Sequence, residues 1–454
     1  MQFKLNTVVC AGLAACALAA CGGGEAPDTA QSTANALQAD AGESTARVAT
    51  AAPAPVGTLA LVSVLATGGL TPCAVSADGD IVAFADNSSG RDQVLVRNLR
   101  TGTLALGSSA ANGSSLGNAV CRGMSPDGRF LVLDLEAISD NFLSGTTGRD
   151  AALFVKDLQT GSLQRVTPQL ASLPTTRAFQ FVGLSGDGRR VAFLGLPTTT
   201  YVAAYDLRAN GPVRLLYRDL DTNQLVDLSS TARLEPSTGP VFGIAALAGD
   251  GSRLVFVTSA PFPEVGDNDS LRDVFVLNLN TGALALASPE TPTTRDFSWS
   301  TLRGFAVGNS RLVYDGDSLQ PTVAGGLYSN AVGGNDVRLL ASRPVGNANL
   351  FGGAISETMG FDDALRQVVF LRYDGQTRFN QPWLRQLSTG VETRVDRSSA
   401  GVLGNSFSFG TLISSDGSQV AFSSYSSNLV RLQRSTPRNQ VYSKTVAAAS
   451  TAAQ

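Results

Sequence analysis

Histidine is absent from the 454 residues. Without an imidazole the chain cannot assemble a Ser-His-Asp or Cys-His catalytic group, or a His-ligated zinc site. Lysine is nearly absent too, occurring only at Lys4, Lys156 and Lys444, so arginine supplies almost all positive charge. The formal net charge is −3, and this lack of a basic excess argues against a nucleic-acid partner. Long apolar runs are also missing. The longest, from Leu5 to Ala20, is short of the roughly 20 residues that span a bilayer and fits the core of a signal peptide.

What is present begins with an address. Residues 1–20 end in "LAA", followed by Cys21 and then "GGG". This resembles the bacterial lipobox, and the resemblance implies cleavage before Cys21 and acyl chains on its sulfur, an anchor rather than a span. A second "LAAC" at 13–16 lies inside the apolar run. Gly22 stands where an Asp would signal inner-membrane retention, and resemblance to Gram-negative lipoproteins then implies the outer membrane. Residues 22–56 are rich in Ala, Ser, Thr and Pro and hold few large apolar side chains. Such a segment cannot bury enough surface to order itself. As a flexible tether it reaches roughly 30–35 Å.

The body is repetitive. "SADGDIVAF" (76–84) recurs as "SPDGRFLVL" (125–133), "SGDGRRVAF" (185–193), "AGDGSRLVF" (248–256) and "SSDGSQVAF" (414–422). Degenerate copies stand at 307–314 and 362–370. The closing residues of the copies are 84, 133, 193, 256, 314, 370 and 422, at steps of 49 to 63. Asp-Gly ahead of a β-branched run marks a hairpin turn. An alternating strand follows each turn, as in "VLVRNL" (94–99), "LFVKDL" (153–158), "VFVLNL" (274–279) and "VYSKTV" (441–446). Second turns are expected at the "TG" pairs 101–102, 160–161, 281–282 and 389–390, with "NG" at 210–211 and "GG" at 333–334. A last short strand closes each unit. The pattern predicts an all-β, seven-bladed β-propeller with four-stranded blades over 57–446, followed by a tail at 447–454.

The seventh unit ends without its fourth strand, while "GTLALVS" at 57–63 repeats the closing strands "GTLALGS" (102–108) and "GALALAS" (282–288). The N-terminal strand is therefore expected to complete the last blade beside 441–446, leaving no free edge. The S-x-D-G-x-x-V-A-F motif with its following strand and Thr-Gly turn resembles the TolB-like (WD-like) propeller repeat of bacterial envelope proteins. The family's namesake carries a further N-terminal domain with no counterpart in this sequence, so its partners are not carried over.

Candidate chemistry is sparse. The repeated Asp78, Asp127, Asp187, Asp250 and Asp416 read as turn formers, because Asx side chains bond their own backbone. They resemble the sialidase Asp-box, but the Gly and Trp it requires do not follow. Prolyl oligopeptidase propellers carry a hydrolase domain that these residues leave no room to build. Asp219, Asp221 and Asn223 have the 1-3-5 spacing that presents oxygens to calcium, although Gln224 and Ser230 stand where an EF-type loop needs Gly and Glu. Residues 266–273 share the acidic spacing. Trp299 and Trp383 are candidates for stacking on a sugar, against the alternative of core positions. Cys73 and Cys121 form an even pair in an oxidising compartment. Each lies in the strand that enters an Asp-Gly turn; their one-residue offset points them to opposite sides of their own sheets, and one of the two possible parities aims them at each other between the first two blades. The alternative is two buried free thiols.

The turns are expected on one face of the ring. The longer connections 134–152, 167–182, 216–240, 257–273 and 423–440 are expected on the other, and loops on a rigid scaffold are where binding function sits. The expectation is a lipid-anchored, non-catalytic binding or assembly module of the envelope, taking a protein or glycan partner at its long-loop face. The alternative is a carboxylate-based glycosidase or lyase at the same face.

Overall fold

The computed structural model describes residues 56–63, 70–135, 152–169, 172–173, 176, 178–196, 213–229, 245–258, 260–268, 273–287, 301–306, 308–316, 326–332, 336–342, 355–374, 379–430 and 439–447. The expected signal peptide, Cys21, nearly all of the tether and most of the tail lie outside them. The described strands form seven four-stranded antiparallel sheets, each in simple up-and-down order. Blades 1 to 6 run through 71–106, 119–165, 178–227, 245–286, 301–342 and 355–394. Blade 7 combines 408–445 with the N-terminal strand Leu59–Leu61. The protein is a seven-bladed β-propeller.

Its core is not a single mass. Seven apolar clusters each lie between two neighbouring blades. A blade is thus covered on both faces, which is why its second and third strands read as unbroken apolar runs rather than alternating ones. Leu131, Val132 and Leu133 are consecutive, and all are fully buried.

The Asp-Gly turn shows how sequence sets geometry. Ser76 Oγ donates to Asp78 (2.6 Å) and accepts from the Ile81 N–H (3.0 Å), while Asp78 accepts from the Asp80 N–H (3.1 Å). The same set recurs at Ser125–Asp127, Ser185–Asp187 and Ser414–Asp416. The glycines that follow sit at φ of 71–74°, where a side chain costs about 1–2 kcal/mol. They also leave room for a neighbour. A Cβ on Gly188 would lie 2.2 Å from the Phe130 ring, and one on Gly128 2.5 Å from Ile81. In both, the opening residue of the preceding blade's second strand fills the space above the turn.

The degenerate copies keep the backbone and change the residue. Asn309 (φ 65°) and Leu365 (φ 51°) take the glycine's place in blades 5 and 6. Ahead of Leu365, the residue that would fill the space is Arg311, and its guanidinium turns instead to Asp336 (2.7 Å) and the Ser329 carbonyl (3.2 Å). Leu365 fills the gap with its own side chain, only 4% exposed, in the apolar cluster between blades 5 and 6.

Closure of blade 7 reproduces a hairpin across a break in the chain. In blade 1 the Gly102 N–H donates to the Asn98 carbonyl (2.9 Å), and the Asn98 N–H donates to the Thr103 carbonyl (2.9 Å). In blade 7 Gly57 donates to Thr445 (2.8 Å), and Thr445 donates to Thr58 (2.9 Å). Gly57 adopts φ 89°, as Gly102 adopts 75°. Leu59–Leu61 then pairs with Tyr442–Lys444. Lys444 Nζ donates to the carbonyls of Gly57 (2.5 Å), Arg397 (2.9 Å) and Ser398 (3.2 Å). Burial, with Arg397 nearby, lowers its pKa from the ordinary lysine value.

One blade departs from the expected boundaries. The third and fourth strands of blade 3 are Arg214–Asp219 and Gln224–Asp227. Most of 216–240 that is described is therefore hairpin and not a long connection. The "NG" at 210–211 lies outside the described residues. The turn is made instead by Leu220–Asn223, with Asn223 at φ 57°.

Candidate binding face

The turn face is occupied by its own bonds. Ala77 donates to the Pro126 carbonyl (2.7 Å), Gly186 to Gly249 (2.6 Å), Asp363 to Ser415 (2.8 Å) and Asp416 to Ala77 (3.0 Å). Gly249 donates to Asn309 Oδ1 (2.9 Å), and Gly308 to the Asp363 carboxylate (3.1 Å). These bonds link consecutive blades around the axis at six of the seven junctions. At the seventh, between blades 2 and 3, Pro126 has no N–H to give. There Arg129 and Arg189 lie against the Phe130 ring, at 4.8 and 5.9 Å from its centroid.

The calcium candidates belong to this face. Asp219 Oδ1 accepts from the N–H groups of Asp221 (3.1 Å) and Thr222 (2.9 Å). Asn98 and Asn278 make the same bonds at the same place in blades 1 and 4, so the position requires an amide or carboxylate oxygen but no charge. Asp221 pairs with Arg189 (3.0 Å), and Asn223 Oδ1 accepts from Arg218 (2.5 Å). Among the described residues no three acidic or thiol groups gather as a metal site. In the acidic stretch 266–273, Asp267 is buried and accepts from the Phe262 N–H (3.0 Å).

Cys73 and Cys121 are joined by a disulfide, with Cα atoms 5.9 Å apart, inside the cluster between blades 1 and 2. Strand parity is not what aims them. The pairing of blade 1's inner strand skips from Pro72 to Ala74, so Cys73 is the extra residue of a β-bulge and escapes the alternation of faces. Equivalent bulges interrupt the inner strands of blades 2, 3, 5, 6 and 7.

The long-loop face is built differently. The connection from blade 6 to blade 7, residues 395–407, folds on a buried ion pair. Arg394 Nε and Nη2 donate to the Asp396 carboxylate (2.6 and 2.8 Å). Arg394 is 9% exposed and Asp396 fully buried. Burial pushes the Asp396 carboxyl above its ordinary value against the pull of Arg394, so holding the charge there costs stability. Arg394 also donates to the Gly404 carbonyl (3.0 Å), and Gly404 donates to the Asp396 carbonyl (2.8 Å). A Cβ on Gly404 would lie 2.6 Å from Asp396 Oδ2. Asn405 and Asn428 knit the loop to the end of blade 7's second strand: Asn405 N–H donates to Asn428 Oδ1 (3.1 Å), and Asn428 Nδ2 donates to the Leu403 carbonyl (2.7 Å).

This scaffold holds apolar side chains in water. Val402 is 52% exposed, Leu403 39% and Phe407 40%. Phe407 stacks on Tyr425 at 4.4 Å between centroids, with Phe409 at 6.0 Å and Phe379 at 6.4 Å. Phe379 opens a strand of blade 6 and Tyr425 follows one of blade 7, both at the ends opposite the turns. Elsewhere among the described residues the paired rings lie in the blade cores. Of the tryptophans, Trp383 has Arg372 at 4.7 Å over its ring and packs on the cluster between blades 5 and 6. Trp299 lies outside the described residues.

Two described carboxylates on the long-loop side are engaged, while Asp92 is exposed and bonds through its backbone. Asp134 pairs with Arg122 (2.6 Å), and Asp86 accepts from Ser88 Oγ (2.7 Å). The ion pair and the aromatic group escaped the sequence reading. The available signal was "SFSF" at 406–409, together with the near absence of charge between Arg397 and Arg431, where Asp416 is the only charged residue.

The fold has known counterparts. No family model matches the chain, and no curated protein matches it. Among solved structures it is similar to an oligogalacturonate lyase from Vibrio parahaemolyticus (TM-score 0.55, 12% identity, 84% of this chain and 90% of that one). It is also similar to an oligogalacturonate lyase in complex with manganese (TM-score 0.51, 14% identity, 83% and 91%). TolB from Acinetobacter baumannii aligns at TM-score 0.41 and 11% identity over 72% of this chain and 63% of that one. At these identities the likeness is one of fold.

Proposed function

We propose that the protein is a non-catalytic binding module of the bacterial envelope, anchored by lipid on Cys21 and engaging its partner through the long-loop face. The observation that carries this reading is the 395–407 loop. On a backbone hairpin that also occurs between blades 1 and 2, it carries a buried ion pair and leaves Leu403 and Phe407 in contact with water. Strand order supports an orientation as well. Gly57 stands in for a hairpin glycine, so an anchor ahead of it attaches at the turn face and leaves the long-loop face free of the attachment point. Among the described residues no helix is long and apolar enough to cross a membrane.

The second reading, a carboxylate-based lyase or glycosidase at this face, draws on the fold of the oligogalacturonate lyases. The bonds that engage Asp86, Asp134 and Asp396 favour the first. The test pairs Cys21→Ser with Phe407→Ala. The first is expected to release the protein from membranes, and the second to abolish partner binding while leaving attachment intact. Depolymerisation of a polysaccharide by the purified protein would replace the binding reading with the enzymatic one.

A further inference from the structure

We propose that the 397–403 hairpin is a latch on the N-terminal strand, with Lys444 and Ser399 as its catch, so that the ring opens only when this loop lets go.

The fold contains two equivalent straps. Between blades 1 and 2, Ala110 N–H donates to the Ser114 carbonyl (2.8 Å), Gly113 N–H to Ala110 (2.9 Å) and Leu116 N–H to Ser108 (2.9 Å), and Ser109 bridges Ser115. Between blades 6 and 7, Ser398 donates to Val402 (2.8 Å), Gly401 to Ser398 (2.9 Å) and Gly404 to Asp396 (2.8 Å), and Arg397 bridges Leu403. Each hairpin lies against the outer strand of the blade that follows it. A Cβ on Gly161 would stand 3.7 Å from Ala111 Cα, and the Leu59 N–H donates to Ser399 Oγ (2.9 Å).

Lysine marks the two strapped blades. Apart from Lys4 the chain holds only Lys156 and Lys444, and both occupy one register, Lys156 opposite Leu163 and Lys444 opposite Leu59. Arginine stands at this register in blades 1, 3 and 6, as Arg97, Arg218 and Arg385, and is half-buried there. The lysines are buried, at 3% and 8% exposure. A compact ammonium can be enclosed among a few carbonyls, whereas a guanidinium spreads five donors in a plane.

The straps differ where the strands beneath them differ. In blade 2 the outer strand is tied to its neighbour by the turn between Asp157 and Ser162. Lys156 Nζ donates there to one carbonyl, that of Gly161 (2.6 Å), and the strap presents Ala111. In blade 7 the outer strand comes from the other end of the chain, and no turn ties it. Lys444 Nζ donates to Gly57 on the strand and to Arg397 and Ser398 on the strap, so one ammonium joins the two. Ser399 replaces Ala111. Its hydroxyl takes the Leu59 N–H, which faces away from the 440–445 strand and is the kind of edge donor that invites pairing. Arg394 and Asp396 fix the base of the strap through Gly404. The strap is reinforced where its strand lacks a turn. That strand is the one into which residues 22–56 lead, so a pull on that segment reaches the latch before the rest of the ring.

The test is amide hydrogen exchange of the lipid-free protein. It is read at Gly57 and Val62, whose N–H groups bond Thr445 (2.8 Å) and Val441 (2.9 Å) and not the strap. Val166 and Leu228 hold the place of Val62 in blades 2 and 3, bonding Leu153 and Leu215 (both 2.8 Å), and serve as references. Lys444→Met is expected to speed exchange at Gly57 and Val62 about a hundredfold and Ser399→Ala about tenfold, with Leu228 unchanged. Lys156→Met should change Val166 by less than about threefold, because its strand keeps a covalent turn. Exchange at Gly57 and Val62 that ignores both strap variants overturns the proposal. An equal rise at Leu228 also overturns it, since the residues would then contribute to global stability and not to a latch. So does a response of Val166 to Lys156→Met as large as that of Val62 to Lys444→Met. If Lys444→Met does not fold, Ser399→Ala decides by the same readings, because it removes a single bond at the strand edge.

Discussion

The two faces of the ring use their polar groups in opposite ways. On the turn face, one set of bonds is repeated from blade to blade. Serine, aspartate and glycine satisfy each other within the turn, and backbone groups link turn to turn. Variation there is compensated on the spot, as when Leu365 fills the space that Arg311 leaves. On the long-loop side, the connection from blade 6 to blade 7 repeats the backbone hairpin of 108–116 and adds to it a buried ion pair and exposed apolar side chains. A surface that repeats is explained by folding alone. A surface whose side chains depart from a repeated backbone, as Asp396 does from Ser108, points to a requirement other than folding.

The largest effect should come from removing the strand that closes the ring. Deleting 57–66 removes the Leu59–Leu61 pairing, strips the carbonyl of Gly57 from Lys444 and bares the 440–445 edge. It should cost several kcal/mol by the burial and hydrogen-bond terms together, and it should promote aggregation. Deleting 25–50 should leave the thermal midpoint in place. Equal midpoints would show that the closing strand contributes nothing.

A pair of glycines compares the repeated turn with the tip of the 395–407 connection. Gly188 and Gly401 both have positive φ, 71° and 82°. Alanine at Gly188 meets the Phe130 ring at 2.2 Å, whereas alanine at Gly401 meets nothing within 4 Å. Gly401→Ala should lose about 1–2 kcal/mol from backbone strain, and Gly188→Ala about 1–3 kcal/mol more from overpacking. Urea unfolding of both variants measures the difference. Similar losses would mean that the turn face tolerates repacking and is not the rigid element described.

Most of the ring was legible in sequence because the Asp-Gly turn is a local device: Ser76, Asp78 and Gly79 meet their partners within five residues. The closing strand was legible for a related reason, since Gly57–Ser63 copies Gly102–Ser108. What could not be read depended on insertion or on distant contact. The bulge at Cys73 shifts alternation by one residue without a signature of its own. Asp219, Asp221 and Asn223 have a spacing that a calcium loop and a hairpin turn share, and the structure places them in a hairpin turn equivalent to those at Asn98 and Asn278. The aromatic group joins residues from two blades, and its members lie beside different strands.

The disulfide tests the junction between blades 1 and 2. It closes a segment of 48 residues, and in the chain-entropy account such a link adds about 2–4 kcal/mol. Cys73→Ser with Cys121→Ser should lower the unfolding free energy measured in urea by that amount, yet leave the ring closed, because the Ala77–Pro126 bond and the apolar cluster remain. Loss of folding in the double variant would mean that this junction depends on the covalent link.

The smallest effect on stability is expected at Phe407, and its smallness is the point. The side chain is 40% exposed and rests on Tyr425, so truncation forfeits only part of one ring's burial and one stacking contact, about 1 kcal/mol. Its backbone carbonyl, which accepts from Tyr425 N–H, is unchanged by the substitution. Phe422 has the same chemistry, is fully buried, and lies in the cluster between blades 6 and 7. Phe422→Ala should therefore cost about 3–5 kcal/mol. Thermal midpoints of the two variants, measured alongside partner binding, separate a ring kept for the core from a ring kept for contact. If Phe407→Ala costs as much as Phe422→Ala, the exposed ring is structural, and the contrast between the two faces fails at the residue on which it most depends.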